Sequence, residues 1–284
     1  MPSLIDIRRR IRSVKNMQQI TKAMKMVSAA KLRRAQERAI AARPYGTSLD
    51  RMLANVAATA SANEDVSQPL LAVREEKSVQ LVVVTSDPGL AGAFNANILR
   101  MAQKFIDDNA GKKIQIEAIG RKGRDYFRRR GVELSGVHIG IVDKPSYDTA
   151  RKIADKLIER YSKAEVDAVY ICVNEFKNVM APNLALRRIL PVTVPESAQN
   201  LDYIYEEPPQ ELLSALLPRY VEVQLYRALL ESNSAEHAAR MTAMDAASSN
   251  AGDVIDTLTL NMNRVRQAKI TREIIEIVGG AAAL

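Results

Sequence analysis

The sequence predicts an α/β fold in which a mostly parallel, Rossmann-like central domain carries a long antiparallel coiled coil made by the two chain ends. Three observations predict it. Ser3 to Arg43 contains neither Gly nor Pro, and Arg219 to Val278 contains only Gly252, whereas eight of the twelve glycines fall between Gly89 and Gly140. Gly costs roughly 1 kcal/mol and Pro roughly 3 inside a helix, so the breaker-free ends read as long helices. The last stretch repeats at the heptad period, and the middle alternates strand-like with helix-like segments.

The first helix, taken from Ser3 to about Ala57, shows Leu4, Ile7, Ile11, Val14, Met17, Ile20, Met24 and Val27 at steps of three and four, one narrow stripe. The last, from Gln210 to Val278, places His237, Met241, Met244, Ser248, Ala251, Ile255, Leu258, Met262 and Val265 at alternating steps of four and three, the signature of a left-handed coiled-coil seam. Its small members, Ser248 and Ala251, predict close backbone approach. The helices would run about 80 and 100 Å, with Pro44 and Pro218 marking kinks or turns.

Between them, Val79 to Thr85, Ile114 to Ile119, Val166 to Val173 and Ile189 to Val194 read as strands, rich in β-branched residues. Ala93 to Asp108, Lys122 to Arg130 and Tyr147 to Ser162 read as helices, giving the alternation of a parallel, doubly wound sheet. Residues 1–60, 77–195 and 210–284 are thus the expected helix, α/β domain and helix. Ser61 to Glu76 and Glu196 to Pro209 are the expected linkers. An exposed two-helix pair buries little surface of its own, so a partner in another chain is implied.

The chain of 284 residues carries a net charge of +8 and 47% hydrophobic residues, which excludes global disorder. Residues 1–60 hold thirteen Lys and Arg against three acids, a basic surface suited to partner carboxylates or nucleic-acid phosphates. The near absence of aromatic residues there argues against single-stranded nucleic acid. The longest charge-free stretches are twelve residues, too short to span a bilayer. No apolar signal segment follows Met1, so a protein kept inside the cell is expected.

The loop Thr85 to Asn95 joins a strand to a helix but lacks Gly-x-Gly-x-x-Gly and Gly-Lys-Ser/Thr spacing, and reads as a tight turn rather than a phosphate loop. Gly120 to Gly131 packs six basic residues into twelve and reads as an exposed basic helix. His138 and His237 lie apart from any metal-ligand spacing. Cys172, the single cysteine, sits in an apolar run where its thiol acts as a small hydrophobe. No catalytic constellation, cofactor loop or metal site is expected. The competing reading on these residues alone is a basic nucleic-acid-binding α/β protein with a coiled coil.

The segments Ile20 to Gln36, Ala239 to Asp256 and Asn263 to Ala283 resemble the two terminal helices of the gamma subunit of rotary F-type ATP synthases, and Ser86 to Asn95 is similar to that family's central signature. The resemblance implies a central-stalk rotor of a proton-translocating enzyme. The coiled coil would turn inside the ring of alpha and beta subunits and the α/β domain would stand on the c-ring beside epsilon. It implies no nucleotide on this chain, with ATP, ADP and Mg held by partner subunits, and no chemistry of its own.

The resemblance further places Met24, Lys31, Arg33, Arg34, Arg266, Gln267 and Thr271 near the acidic catch loops of beta, and Ile277, Val278, Ala281 and Leu284 in an apolar apical bearing. It places Tyr203, Tyr205 and Glu206 near the c-ring, and the protein on the cytoplasmic face of a bacterial plasma membrane. Pro88, Ala91 and Ala93 stand where the family usually has Arg, Cys and Gly. With one cysteine, a thiol switch of the chloroplast type is not expected.

Overall fold

The computed structural model describes residues 3–63, 68–178, 182–194 and 206–282. In chain order the elements are α1 (Leu4–Asn63), β1 (Ser78–Val84), α2 (Phe94–Asp108), β2 (Lys113–Ile119), α3 (Arg121–Arg128), β3 (Leu134–His138), α4 (Tyr147–Ser162), β4 (Ala168–Phe176), β5 (Pro182–Leu190) and α5 (Pro209–Ala282). They pack as two compact units, Ala29–Arg240 and Met1–Ser28 with Met241–Leu284. The division cuts both long helices instead of falling in the linkers, because the inner lengths of α1 and α5 are built into the sheet domain's core.

In the larger unit five strands lie in the order β3-β2-β1-β4-β5. β1 pairs in parallel with β2 and β4, β2 in parallel with β3, and β5 runs antiparallel on the edge. The sheet is covered on both faces, which is why β1 reads as apolar but for the buried Gln80. Val82 and Val84 pack with Leu53 and Val56 of α1, Ile153 and Leu157 of α4, and Leu213, Leu217 and Val221 of α5. Leu81 and Val83 point the other way, to Phe94, Ile98 and Ala102 of α2 and Phe127 of α3.

The mostly parallel sheet and the central helices match expectation, while several boundaries differ. β5 occupies Pro182–Leu190 rather than Ile189 to Val194: its alternation is diluted by Asn183, Arg187 and Arg188, as suits an edge strand, and Pro191 has no N–H to continue a ladder. α1 runs past Ala57 to Asn63, since Val56, Ala57 and Ala60 are buried against the sheet. α5 begins at Pro209, a residue whose fixed φ suits the first helical turn. Pro44 and Pro218 lie inside their helices, which continue through both.

The first expected linker is partly pinned. Leu70 is buried and its carbonyl accepts from Val192 N–H at 2.9 Å, and the Tyr161 hydroxyl donates to the Ala72 carbonyl at 2.6 Å. Most of the second linker lies outside the described residues.

In the smaller unit the two helices run antiparallel. Lys25 pairs with Asp245 at 2.6 Å, the Gln18 amide donates to the Ser248 carbonyl at 3.3 Å, and Leu4 shares a groove with Val265. On α5 every expected seam position from Met241 to Val265 is buried or half-buried. On α1 the seam is corrected. The shielded positions are Leu4, Ile7, Ile11, Val14, Gln18, Thr21, Met24, Lys25 and Ser28, so Leu4, Ile7, Ile11, Val14 and Met24 of the expected stripe hold and the seam drifts onto Gln18, Thr21, Lys25 and Ser28. Met17, Ile20 and Val27, assigned to the stripe by hydrophobicity, are more than half exposed. Polar side chains enter the facing positions there, where the small residues Ser248, Ala251 and Gly252 opposite offer little apolar surface and the Ser248 carbonyl accepts from Gln18.

One glycine is fixed by close approach. Gly120, with φ +98°, caps α3, donates to the His138 carbonyl at 2.7 Å and sits so close to Thr85 that a Cβ would stand 2.1 Å from the Thr85 carbonyl oxygen. Gly120→Ala is expected to cost about 3 kcal/mol, read as a lowered urea midpoint for the full chain.

Candidate functional site

The loop after β1 stands where a doubly wound sheet changes winding direction, the usual ligand crevice of such folds. Its polar groups are spent on the protein. Ser86 N–H donates to Asn95 Oδ1 at 2.9 Å and Ser86 Oγ to the Pro88 carbonyl at 2.7 Å. Asp87 accepts from the N–H groups of Arg121 and Gly140, each at 2.8 Å. The tight-turn reading of this segment therefore has a geometric basis, and Leu90 and Gly92 both take positive φ within it.

Helix α5 crosses this loop. Arg240 sets its guanidinium 3.5 Å from the Gly89 carbonyl and 2.5 Å from the carboxylate of Glu236, one turn earlier on the helix, and both side chains are buried. Asn233 donates to the Val142 carbonyl at 2.5 Å. Asp143 in turn receives Lys31 of α1 at 2.8 Å. Ala235 and Ala239, small enough for close approach, pack into the apolar layer beneath α2. Four elements are thus locked together around residues 233–240.

The electrostatics follow from burial. Burial pushes the Glu236 carboxyl up, opposed by Arg240. The hydrogen bond from Lys31 holds the Asp143 carboxyl below the usual carboxylate range, against its burial. His237 is 2% exposed, and burial, reinforced by Arg240 and Lys31 and opposed by Asp143, lowers its pKa to about 4. His138 meets a carboxylate that sequence spacing did not reveal, its Nε2 lying 2.7 Å from Glu117 Oε1 across neighbouring strands. Cys172 is buried and desolvation pushes its thiol up to about 12, in keeping with a packing role. In the expected basic helix, α3, Gly123 and Phe127 are buried, while Arg130 stacks on Tyr126 at 3.6 Å.

The residues singled out from the resemblance fall into separate groups. Lys31, Arg33 and Arg34 share one turn of α1 in the larger unit, with Arg33 paired to Glu37 at 3.2 Å and Arg34 exposed. Met24 is half-buried in the smaller unit. Arg266, Gln267 and Thr271 do not lie opposite it: the register sets Val265 beside Leu4, twenty residues or about 30 Å along the axis from Met24. Ile277, Val278 and Ala281 are exposed, and from Arg266 to Gly279 every residue is. Glu206 is exposed just before α5, whereas Tyr203, Tyr205 and Leu284 lie outside the described residues.

Reasoning from sequence missed the buried Glu236–Arg240 pair and Asn233. The available signal was the charge of Glu236 and Arg240 one turn apart within an otherwise apolar and small-residue stretch.

Among the described residues no helix is long and apolar enough to cross a membrane. A protein family described as ATP synthase matches residues 3–284. The chain is 61% identical to the ATP synthase gamma chain of Solibacter usitatus, covering all of this chain and 99% of that one. It is 49% identical to that of Pelotomaculum thermopropionicum, with both chains covered in full. A chain in the central stalk and c-ring structure of the Tetrahymena thermophila mitochondrial ATP synthase superposes with a TM-score of 0.63 at 28% identity, over 81% of this chain and 99% of that one. A chain of the Euglena gracilis mitochondrial enzyme in rotational state 3 shares the fold, with a TM-score of 0.68 at 18% identity over 99% and 94%.

The lowered pKa of His237 makes stability pH-dependent. Its ordinary value is 6.5, so between 6.5 and about 4 the unfolded chain binds a proton that the folded chain refuses. The stabilisation is present in full above 6.5 and is lost as pH falls through about 4. His237→Gln should flatten this dependence, measured as a smaller drop in urea midpoint between pH 7.5 and pH 5 than in the parent chain.

Proposed function

The chain belongs to the ATP synthase gamma-chain family, and from that membership we propose that it is the central-stalk rotor that couples turning of a c-ring to the conformational cycle of an alpha and beta hexamer. The supporting observation is the surface of the smaller unit. Its seam is closed, yet Ile5, Met17, Ile20, Met26, Val27 and Leu260 point outward, and no residue from Arg266 to Gly279 is covered. Apolar surface arrayed all round a helix pair is stable only when other chains surround it.

The pair is also electrically lopsided. In this unit α1 carries seven Lys and Arg against the single acid Asp6, while α5 carries four against five acids. A shaft with one basic side presents unequal surfaces to three otherwise equivalent neighbours, and a ligand shifts a conformational equilibrium only by such differential contact. On this reading Met24, Lys31, Arg33 and Arg34 address acidic surfaces of beta at one level, and Arg266, Gln267 and Thr271 do so at another. Ile277, Val278, Ala281 and Leu284 turn in an apolar sleeve, where contact is non-directional. Tyr203, Tyr205 and Glu206 face the c-ring, next to epsilon. The chain performs no bond chemistry and holds no nucleotide or metal. Its place is the cytoplasmic face of a bacterial plasma membrane.

Reconstitution with purified alpha and beta subunits tests this reading. ATP-driven, stepwise, unidirectional rotation of a probe fixed to the α/β domain is expected. Arg33→Glu with Arg34→Glu should lower torque while leaving assembly intact. A chain that fails to join the hexamer in several buffers would sink the proposal.

A further inference from the structure

A small pocket of about 140 Å³ lies in the larger unit between α1, the segment after β3 and α5, lined by Lys31, Arg34, Arg38, Asp143, Lys144 and His237, with Asn233 at its inner wall. Its charge is unbalanced. Lys31 and Asp143 neutralise each other at 2.8 Å, and Arg34, Arg38 and Lys144 form no ion pair with a described residue. Three cations therefore converge from two elements on a space too small for a nucleotide, whose pockets run to ~300 Å³ and more, yet several times the ~30 Å³ of one water.

The pocket wall adds an independent observation. His237 Nδ1 lies 3.3 Å from Arg240 Nη1, and a guanidinium can only donate, so Nδ1 accepts. The neutral imidazole then carries its proton on Nε2. The ring is 98% withdrawn from solvent but borders the pocket, and Asp143 Oδ1 lies 3.8 Å from Nε2, beyond hydrogen-bond reach. A donor that borders the pocket with no protein acceptor in reach, beside three unpaired cations, is a site suited to negative oxygen atoms.

We propose that this pocket binds a small tetrahedral oxyanion of the inorganic phosphate class. Arg34, Arg38 and Lys144 supply the charge, and His237 Nε2–H supplies one oriented donor. This goes beyond the rotor reading and does not need it, since the pocket is formed by the chain alone. The charged groups facing the imidazole are Lys31, Arg34 and Arg38 from α1, Asp143 and Lys144 from the segment after β3, and Glu236 and Arg240 from its own helix. An added anion among them favours imidazolium, so occupancy and His237 protonation are linked.

The chain has two histidines, which makes the test direct. Imidazole C–H resonances of the full-length protein are followed by NMR during titration with inorganic phosphate at constant ionic strength, with His138→Gln used for assignment. A saturable shift of the His237 signal is expected, with an upward move of its titration midpoint and the His138 signal unmoved. Arg34→Gln and Arg38→Gln, both at exposed positions and hence safe for folding, should each weaken the apparent affinity by about tenfold or more. A shift no larger than that given by chloride, or one unchanged in both variants, would overturn the proposal. An equal response to acetate would overturn it too, showing a carboxylate seat in place of a phosphate one.

Discussion

Two helices can bury only one stripe against each other, and most of what is distinctive here follows from that limit. A heptad seam on α1 meets its counterpart on α5, and every other face of both helices is left outside. The chain compensates at one end only. From Ala29 on α1 and up to Arg240 on α5, the helices become walls of an α/β core, with Leu53, Val56, Leu213, Leu217 and Val221 covering one side of the sheet. Beyond those points, among the described residues, both helices keep large apolar side chains such as Ile5, Met26 and Leu260 exposed.

The junction of α5 with the sheet domain is polar where apolar packing would have been simpler. Glu236, His237 and Arg240 are all nearly sealed from water, and each unpaired charge in such a place would cost several kcal/mol. Glu236 and Arg240 are tolerated because they satisfy each other and the Gly89 carbonyl, and because Asn233 and Lys31 draw in the segment around Val142 and Asp143. Directional bonds of this kind fix rotation of a helix about its own axis, which apolar contacts leave looser. On the rotor reading proposed above, that distinction matters more than the stability gained.

Much of this was legible in the residues. The missing Gly and Pro announced both helices, the β-branched runs announced β1, β2 and β4, and the small residues at Ser248 and Ala251 announced a slender seam. What failed did so for identifiable reasons. Hydrophobicity led the α1 stripe to Met17, Ile20 and Val27, because an apolar side chain awaiting an external partner looks the same in sequence as one awaiting a core. β5 was displaced because an edge strand with one covered face carries polar residues that dilute its period. The pocket beside His237 draws on α1, α5 and the segment after β3, so no local pattern could have shown it.

The crevice at which doubly wound sheets ordinarily hold a ligand is filled here by a helix of the same chain. Arg240 stands over the loop after β1 and the alanines at 235 and 239 are seated beneath α2. A fold feature that elsewhere serves as a receptor has become a socket, and α5 is the tenon fitted into it. Any small molecule drawn to that crevice would have to compete with a structural member instead of with water. Occupancy there would be felt as a loosened joint.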